Sequence, residues 1–244
     1  MIWLKTLPIV HAQRLNAQYT VLTVEDKDLA AASHPGMFCE LRAPNQEGRQ
    51  FKPISIYGVE GTRVSFFIKR VGFGTKALCA LQVGDTLELM GPLGNRFPVF
   101  AGKKALLVSG GVGYPPLAWL KANLPDGTTA IHLHGGASAE DIFACDFCCT
   151  MDGSQGHMGL VTDLVLPLIQ EHGINLIYSC GPVGMLKKLT ELSGNIPHFV
   201  SMEAYMACGV GVCHGCVIPV GDGFQRVCKE GAVFDAKLID WGQL

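Results

Sequence analysis

The chain has 244 residues, of which 48% are hydrophobic and 16% are charged, and its net charge is −2. This composition excludes a disordered chain. The near balance of 19 basic and 21 acidic residues excludes a basic surface for nucleic acid or anionic lipid.

No export segment is expected, because polar residues soon interrupt the N-terminal stretch MIWLKTLPIV. No run reaches the roughly 18 apolar residues that cross a bilayer. The sequence therefore predicts a cytoplasmic protein that does not enter a membrane. Ten cysteines in that compartment indicate a metal site rather than disulfides.

Residues 1 to 100 are rich in short, strand-like segments that Gly and Pro separate. Several short strands at this spacing predict an antiparallel β-barrel domain. The predicted strands are Tyr19–Val24, Met37–Leu41, Ile54–Val59, Val64–Lys69 and Thr86–Met90.

Residues 101 to 195 alternate strands with helices, which predicts an α/β domain with a parallel sheet and helices on both faces. Ligands bind such sheets at the carboxyl ends of the strands, where the Gly-rich turns 110–113 and 181–184 fall. The predicted strands are Lys104–Ser109, Thr129–His134 and Ile174–Ser179. The first predicted helix follows the turn Gly110–Gly113 and continues through Leu124, and the other two run from Leu160 to His172 and from Pro182 to Leu192.

Residues 196 to 244 form a small third region that begins with a predicted strand, His198–Met202. A segment of this size has little core of its own, so a metal cluster is expected to cross-link it. The predicted fold class is α+β with three domains: barrel, parallel-sheet nucleotide-binding domain and small cluster domain.

Four cysteines of the third region follow the pattern Cys208-x4-Cys213-x2-Cys216-x11-Cys228. Three cysteines on a Gly-rich loop and a fourth from a later strand are typical of a plant-type 2Fe–2S site. Glycines in the loop permit the tight turn that the cluster requires. A structural zinc site is the alternative, although zinc ribbons prefer two Cys-x2-Cys pairs and only one is present.

Two segments of the first region are compatible with a bound flavin. Lys52–Ile56 begins a predicted strand and offers a cation for a phosphate and a Ser hydroxyl for the flavin edge. The turn Val71–Lys76 precedes a predicted helical stretch, Ala77–Leu81, and suits a pyrophosphate. The alternatives are an ordinary edge strand and a common Gly-x-Gly turn.

Two turns of the second region are compatible with a nicotinamide dinucleotide. The turn Gly110–Gly113 follows an apolar strand and permits close approach of a pyrophosphate, although prolines replace the later glycine of the dehydrogenase fingerprint. Cys180-Gly181-Pro182 lies at a second strand end. For Cys180, burial as a small apolar residue is the alternative.

The remaining cysteines are interpreted as structural. A run of three cysteines lies near one histidine and downstream of two others, which is compatible with a second metal site or with simple burial and surface scatter. Burial is favoured because no glycine framework surrounds the run. These residues are Cys145, Cys148, Cys149, His157, His132 and His134, while Cys39 and Cys79 are expected in cores.

Taken together, these motifs resemble the electron-transfer subunit of dihydroorotate dehydrogenase B, a family within the ferredoxin-reductase superfamily. The resemblance extends over nearly the whole chain, and its C-terminal part distinguishes this family from related reductases. The matching segments are Pro35–Phe38, Pro53–Ile56, Gly72–Thr75, Gly91–Asn95, Gly110–Gly113 with Pro115-Pro116, Asp152–Ser154, Gly156-His157 with Gly159, Tyr178–Pro182 with Met185, Met206–Gly211, Arg226–Gly231 and Val233–Ala236.

The resemblance implies cofactors and the residues that contact them. FAD would contact Lys52, Pro53, Ile54, Ser55, Phe67, Ile68, Lys69, Gly74 and Thr75. NAD would contact Gly110, Gly111, Gly113, Cys180, Gly181, Pro182 and Met185, with its nicotinamide stacked on the flavin. The family usually has Arg at the position of Lys52, and Lys lacks the bidentate fork of Arg.

The resemblance also implies a partner and a reaction. An FMN-containing catalytic subunit would oxidise dihydroorotate in pyrimidine biosynthesis, and electrons would pass through the 2Fe–2S cluster and FAD to NAD+. A heterotetramer with two copies of each subunit is expected, and no catalytic acid or base is required in this chain. The alternatives are a diaphorase subunit for ferredoxin, sulfide or hydrogenase chemistry, and a non-catalytic module with a zinc-stabilised tail.

Overall fold

The structure is a computed structural model that describes residues 2–44 and 50–244. The described part of the first region contains six strands and two short helices. These are β1 (Trp3–Arg14), β2 (Tyr19–Glu25), α1 (Lys27–Ala32), β3 (Phe38–Arg42), β4 (Lys52–Glu60), β5 (Arg63–Lys69), α2 (Phe73–Leu78) and β6 (Thr86–Leu93).

The six strands close into an antiparallel barrel in the order β1-β2-β5-β4-β3-β6. Apolar side chains such as Leu22, Ile56, Phe66 and Leu87 fill its interior and are fully buried. The predicted barrel is therefore confirmed. Strand β1 was not predicted, although its exposure alternates along most of its length as expected for a strand with one face on a core.

Helix α2 differs from the sequence-based expectation. The turn 71–76 was expected to precede a helix at Ala77–Leu81, but the helix begins at Phe73 and ends at Leu78. The early start follows from a local cap, because the Thr75 hydroxyl accepts hydrogen bonds from the backbone N–H groups of Val71 and Gly72 at 3.0 and 3.1 Å.

The remainder of the chain contains nine strands and three longer helices. They are β7 (Lys104–Gly110), α3 (Tyr114–Ala122), β8 (Thr129–Gly136), β9 (Phe147–Thr150), β10 (His157–Met158), α4 (Val161–His172), β11 (Leu176–Cys180), α5 (Val183–Ser193), β12 (His198–Ser201), β13 (Val217–Val220), β14 (Gly223–Arg226) and β15 (Val233–Asp235). Single 3-10 turns cover Gly111–Gly113, Ala139–Asp141 and Ala236–Leu238.

Seven of these strands form one sheet in the order β10-β9-β8-β7-β11-β12-β15, and only β15 runs antiparallel to its neighbour. Side chains of β7 alternate between two cores. Leu106 and Val108 pack in the core that contains residues of α4 and α5, whereas Ala105 and Leu107 pack with residues of α3. The predicted parallel sheet with helices on both faces is confirmed.

The third region shares its core with the rest of the protein. Ile218 and Val227 pack with Phe38 of the barrel and with Leu186 and Val200 of the α/β domain. Strands β12 and β15 belong to the seven-stranded sheet, so this sheet extends across the boundary that the sequence predicts after residue 195. A region too small to have its own core is thus stabilised by packing against the barrel and the α/β domain. No helix of the described residues is long and apolar enough to cross a membrane.

Candidate functional site

A cleft between the barrel, α3 and the segment after β12 contains a cavity of about 550 Å³. It continues into a second cavity of about 530 Å³ beside α2, since Lys52, Thr75 and Tyr205 line both. Seven of the nine predicted FAD contacts line the first cavity, and Gly74 lines the second. The seven are Lys52, Pro53, Ile54, Ser55, Phe67, Lys69 and Thr75.

Two of the predicted FAD contacts have other partners in the structure. The Ile68 side chain is fully buried in the barrel core, so only its backbone is available to a ligand. The Lys69 ammonium lies 2.8 Å from the Asp141 carboxylate, which also accepts a hydrogen bond from the Tyr19 hydroxyl. These contacts connect the barrel to the α/β domain along one side of the cleft.

Lys52 lies across the start of α2. A Cβ atom at Gly74 would lie 2.7 Å from Lys52 Cε and 3.1 Å from its Cγ. The absence of a side chain at residue 74 therefore gives the Lys52 stem its path into the cavity, where an ammonium suits a phosphate. The structure thus explains how Lys52 and Gly74 act together in the predicted flavin site.

We expect Gly74→Ala to weaken FAD binding, because the added methyl displaces the Lys52 ammonium from the cavity. Loss of one charged hydrogen bond predicts a Kd about tenfold higher, measured by flavin fluorescence. Gly72→Ala is the matched control, since a Cβ at Gly72 meets nothing within 4 Å. Equal FAD affinity in the two variants would contradict this role of Lys52.

The two predicted nicotinamide turns are in direct contact at the carboxyl ends of β7 and β11. A Cβ atom at Gly113 would lie 2.1 Å from the Cys180 carbonyl oxygen. A Cβ at Gly110 would lie 2.9 Å from both Pro182 Cδ and Met185 Sδ. Val112 and Pro115 of the first turn also line the 550 Å³ cavity, so the nucleotide crevice opens directly onto the flavin cleft.

The Cys180 thiol lies beside a carboxylate that the sequence analysis did not select. Glu203 follows β12 and lines the cavity, and its Oε1 atom is 4.0 Å from Cys180 Sγ. Burial, reinforced by the negative charge of Glu203, raises the pKa of Cys180 well above its ordinary value, so the thiol stays protonated. Protein atoms around Glu203 also desolvate its carboxylate and raise its pKa, although the cavity exposes one side.

The cysteine loop wraps its backbone around sulfur atoms. The N–H groups of Val212 and Cys213 lie 3.4 and 3.5 Å from Cys208 Sγ, and the N–H of Gly215 lies 3.4 Å from Cys213 Sγ. The hydrogen bonds to Cys208 lower the pKa of its thiol to about 6 and favour its thiolate. A thiolate that accepts several N–H groups fits an iron–sulfur ligand.

Glycines and one ion pair hold this loop in place. Gly209 and Gly211 have φ angles of +65° and +81°, which side chains rarely adopt. The Arg226 guanidinium donates to the Gly211 carbonyl at 2.6 Å and pairs with the Glu230 carboxylate. The pair lowers the pKa of Glu230 to about 2. Arg226 therefore ties the loop to the segment that contains the fourth cysteine.

Cys228 lies opposite the loop and is buried next to Cys216. Burial and this neighbouring thiol raise the pKa of Cys228 to about 12. The donor set is thus two cysteines on the loop and two in the core beneath it, which fits a cluster with two irons. Across residues 2–44 and 50–244, no three His, Cys, Asp or Glu side chains converge as ligands of a single ion would.

The structure also places the cysteines that the sequence analysis interpreted as structural. Cys39 is fully buried in the barrel core, and Cys79 is partly buried against it. Cys148 and Cys149 lie on β9, while Cys145 precedes it. His132 and His134 are buried and both hydrogen-bond to the Ser109 hydroxyl, at 2.7 and 2.8 Å, rather than to a cysteine.

Solved structures with a similar fold include reductases. One, described as an NADH-dependent reduced ferredoxin-NADP oxidoreductase, is 25% identical with a TM-score of 0.88, covering 98% of this chain and 91% of its own. A ferredoxin NADP+ reductase from Neisseria gonorrhoeae with bound FAD and NADP is 14% identical with a TM-score of 0.67, covering 79% and 91%. The fold and the sites define a ferredoxin-reductase-like oxidoreductase with flavin, nicotinamide and iron–sulfur sites.

Sequence comparisons narrow this class to one family. Residues 203–240 match the iron–sulfur cluster binding domain of dihydroorotate dehydrogenase B. The electron transfer subunit of dihydroorotate dehydrogenase B (NAD(+)) from Caldanaerobacter subterraneus is 34% identical, covering 98% of this chain and 99% of the relative. That from Bacillus velezensis is 37% identical over 85% and 87%. The chain belongs to the family of dihydroorotate dehydrogenase B electron transfer subunits.

Proposed function

We propose that this chain passes electrons from an FMN-containing dihydroorotate dehydrogenase subunit, through its 2Fe–2S cluster and FAD, to NAD+. The net reaction converts dihydroorotate and NAD+ into orotate, NADH and a proton. One observation carries the proposal: residues of a nicotinamide turn and of the segment that leads into the cluster loop line the same cavity as the predicted flavin contacts. Val112 belongs to the first nicotinamide turn, and Met206 lies two residues before Cys208.

FAD, when bound, supplies the conversion between single electrons of the cluster and the hydride of nicotinamide. The protein holds the reacting partners together and excludes water from their contact. Ser55 and Glu203 line the same cavity, and the protonated Cys180 thiol lies behind Glu203. This arrangement offers neutral hydrogen-bonding groups to the flavin edge and one carboxylate to the nicotinamide.

We expect Glu203→Gln to slow hydride transfer between NADH and the flavin by about 10- to 100-fold. The oxidised nicotinamide ring carries a positive charge, which the Glu203 carboxylate stabilises as the hydride leaves. Stopped-flow reduction of the flavin by NADH measures this step directly. Normal hydride transfer with weaker FAD binding would contradict the proposed role and assign Glu203 to cofactor binding.

The cluster loop is open to a partner. Val212 is 77% exposed and Tyr205 is 98% exposed, and Cys213 between the loop glycines is also exposed. An electron carrier outside this chain can therefore approach the cluster at its exposed loop. An apolar exposed surface of this kind is expected to be covered by the catalytic subunit.

The proposal is tested by mixing the purified chain with an FMN-containing dihydroorotate dehydrogenase subunit under anaerobic conditions. We expect NADH to form from NAD+ only when dihydroorotate and both subunits are present, in an assembly with two copies of each. NADH oxidation coupled to ferredoxin, with no response to dihydroorotate, would instead favour the diaphorase alternative. A colourless, zinc-containing protein would favour the non-catalytic one.

A further inference from the structure

A buried carboxylate on the flavin barrel lies directly beneath the cluster loop. Glu40 on β3 is only 1% exposed. Among residues 2–44 and 50–244, neither of its carboxylate oxygens has a hydrogen-bond partner. An unpartnered buried carboxylate destabilises a fold, so its presence at this position requires an explanation.

The neighbours of Glu40 offer it few donors. Pro53 lies directly opposite on β4 and has no N–H, and Met90 lies opposite on β6. A Cβ atom at Gly209 would lie 2.8 Å from Glu40 Cγ and 3.2 Å from Oε1. The Glu40 side chain therefore points out of the barrel and packs against the residue that follows Cys208.

Two charged groups act on Glu40 in opposite senses. The Lys52 ammonium, on the side of the flavin cleft, favours the carboxylate. The Cys208 thiolate, on the side of the cluster loop, disfavours it, as does burial, which is the largest effect. The net result raises the pKa of Glu40 to about 7. Glu40 thus interacts electrostatically with both Lys52 and Cys208, and it is charged in mildly alkaline solution.

We propose that the Glu40 carboxylate lowers the reduction potential of the 2Fe–2S cluster and so favours onward transfer of its electron to FAD. Reduction adds one electron to the cluster, and a nearby negative charge makes that addition less favourable. The inference rests on the proposed function only in placing the cluster on Cys208, Cys213, Cys216 and Cys228.

The test is an EPR-monitored redox titration of the intact protein at pH 8.5, with Glu40→Gln, Glu40→Asp and the control Glu60→Gln. Glu60 is an exposed residue at the end of β4. Two charges about 10 Å apart at an effective dielectric constant near 20 change an equilibrium constant about tenfold. We therefore expect the midpoint potential to rise by about 59 mV in Glu40→Gln. Glu40→Asp and Glu60→Gln should titrate close to the parent protein.

Three outcomes would overturn the inference. The first is an unchanged midpoint potential in Glu40→Gln. The second is an equal shift of the potential in Glu40→Asp, which would indicate packing rather than charge. The third is loss of the cluster from Glu40→Gln, which would indicate a role in cluster assembly. A thermal melt accompanies the titration. Removal of an unpaired buried charge should leave the melting temperature unchanged or higher. A parent protein without a cluster signal would instead refute the proposed function itself.

Discussion

Replacing Cys213 with serine should remove the visible absorbance and EPR signal of the cluster while FAD stays bound. Cys213 is exposed on the loop, and the Gly215 N–H lies 3.4 Å from its sulfur. Serine retains the backbone and the approximate shape of cysteine but removes a thiolate ligand. The residues predicted to contact FAD lie in the barrel domain and do not depend on this sulfur. NAD+ reduction by dihydroorotate should therefore fall to background, while NADH still reduces the flavin.

The matched control for this prediction is Cys145→Ser. Cys145 is a partly buried cysteine that precedes β9 and lies outside the loop. The control should retain iron, the EPR signal and activity. A full 2Fe–2S spectrum in Cys213→Ser would remove Cys213 from the ligand set. Loss of iron in Cys145→Ser would show that the cysteine run around β9, interpreted here as structural, binds metal.

Gly113→Ala should abolish efficient reaction with NADH while leaving FAD and the cluster in place. The φ and ψ angles of Gly113 are −71° and −4°, which alanine adopts readily, so backbone strain is not the cause. The cause is steric, because the new methyl would lie 2.1 Å from the Cys180 carbonyl oxygen and force the two turns apart. A displacement of about 1 Å between reacting groups predicts a kcat/KM for NADH about 100-fold lower.

Gly184→Ala provides the matched control for this steric argument. Gly184 lies in the first turn of α5, beside the same crevice, and a Cβ there meets nothing within 4 Å. Alanine also favours the helix. Steady-state reduction of an artificial acceptor by NADH should remain normal in this control. Similar rates in both variants would show that the contact between the turns does not shape the nicotinamide site.

Periodicity and turn residues were sufficient to predict most of the architecture. Helices α4 and α5 each begin within one residue of the predicted start, because apolar residues recur along one face of each. Strand β1 was missed, since Pro8 and several polar residues interrupt its apolar pattern. Strand β9 was missed because it has only four residues, and its cysteines were considered for metal binding or burial rather than for strand periodicity.

The sites were predicted less completely than the fold, for physical reasons. Cysteines and glycines at fixed spacings are local in sequence, so the cluster loop and both nicotinamide turns could be selected directly. The place of Glu203 in the site depends on its proximity to Cys180, which is 23 residues away in the sequence. Its position just after β12, at a strand end, is a signal that could have identified it. Glu40 gave no signal at all, because its burial arises from a loop about 170 residues later.

The most direct test of the central claim is cofactor analysis of the anaerobically purified chain, followed by reduction with NADH. We expect about two irons and two sulfides for each FAD, bleaching of the flavin, and the EPR signal of a reduced 2Fe–2S cluster. That result would show that nicotinamide, flavin and cluster exchange electrons within one chain. Freshly isolated protein with neither iron nor flavin would contradict the relay. A cluster that stays oxidised after NADH has been added would contradict it as well.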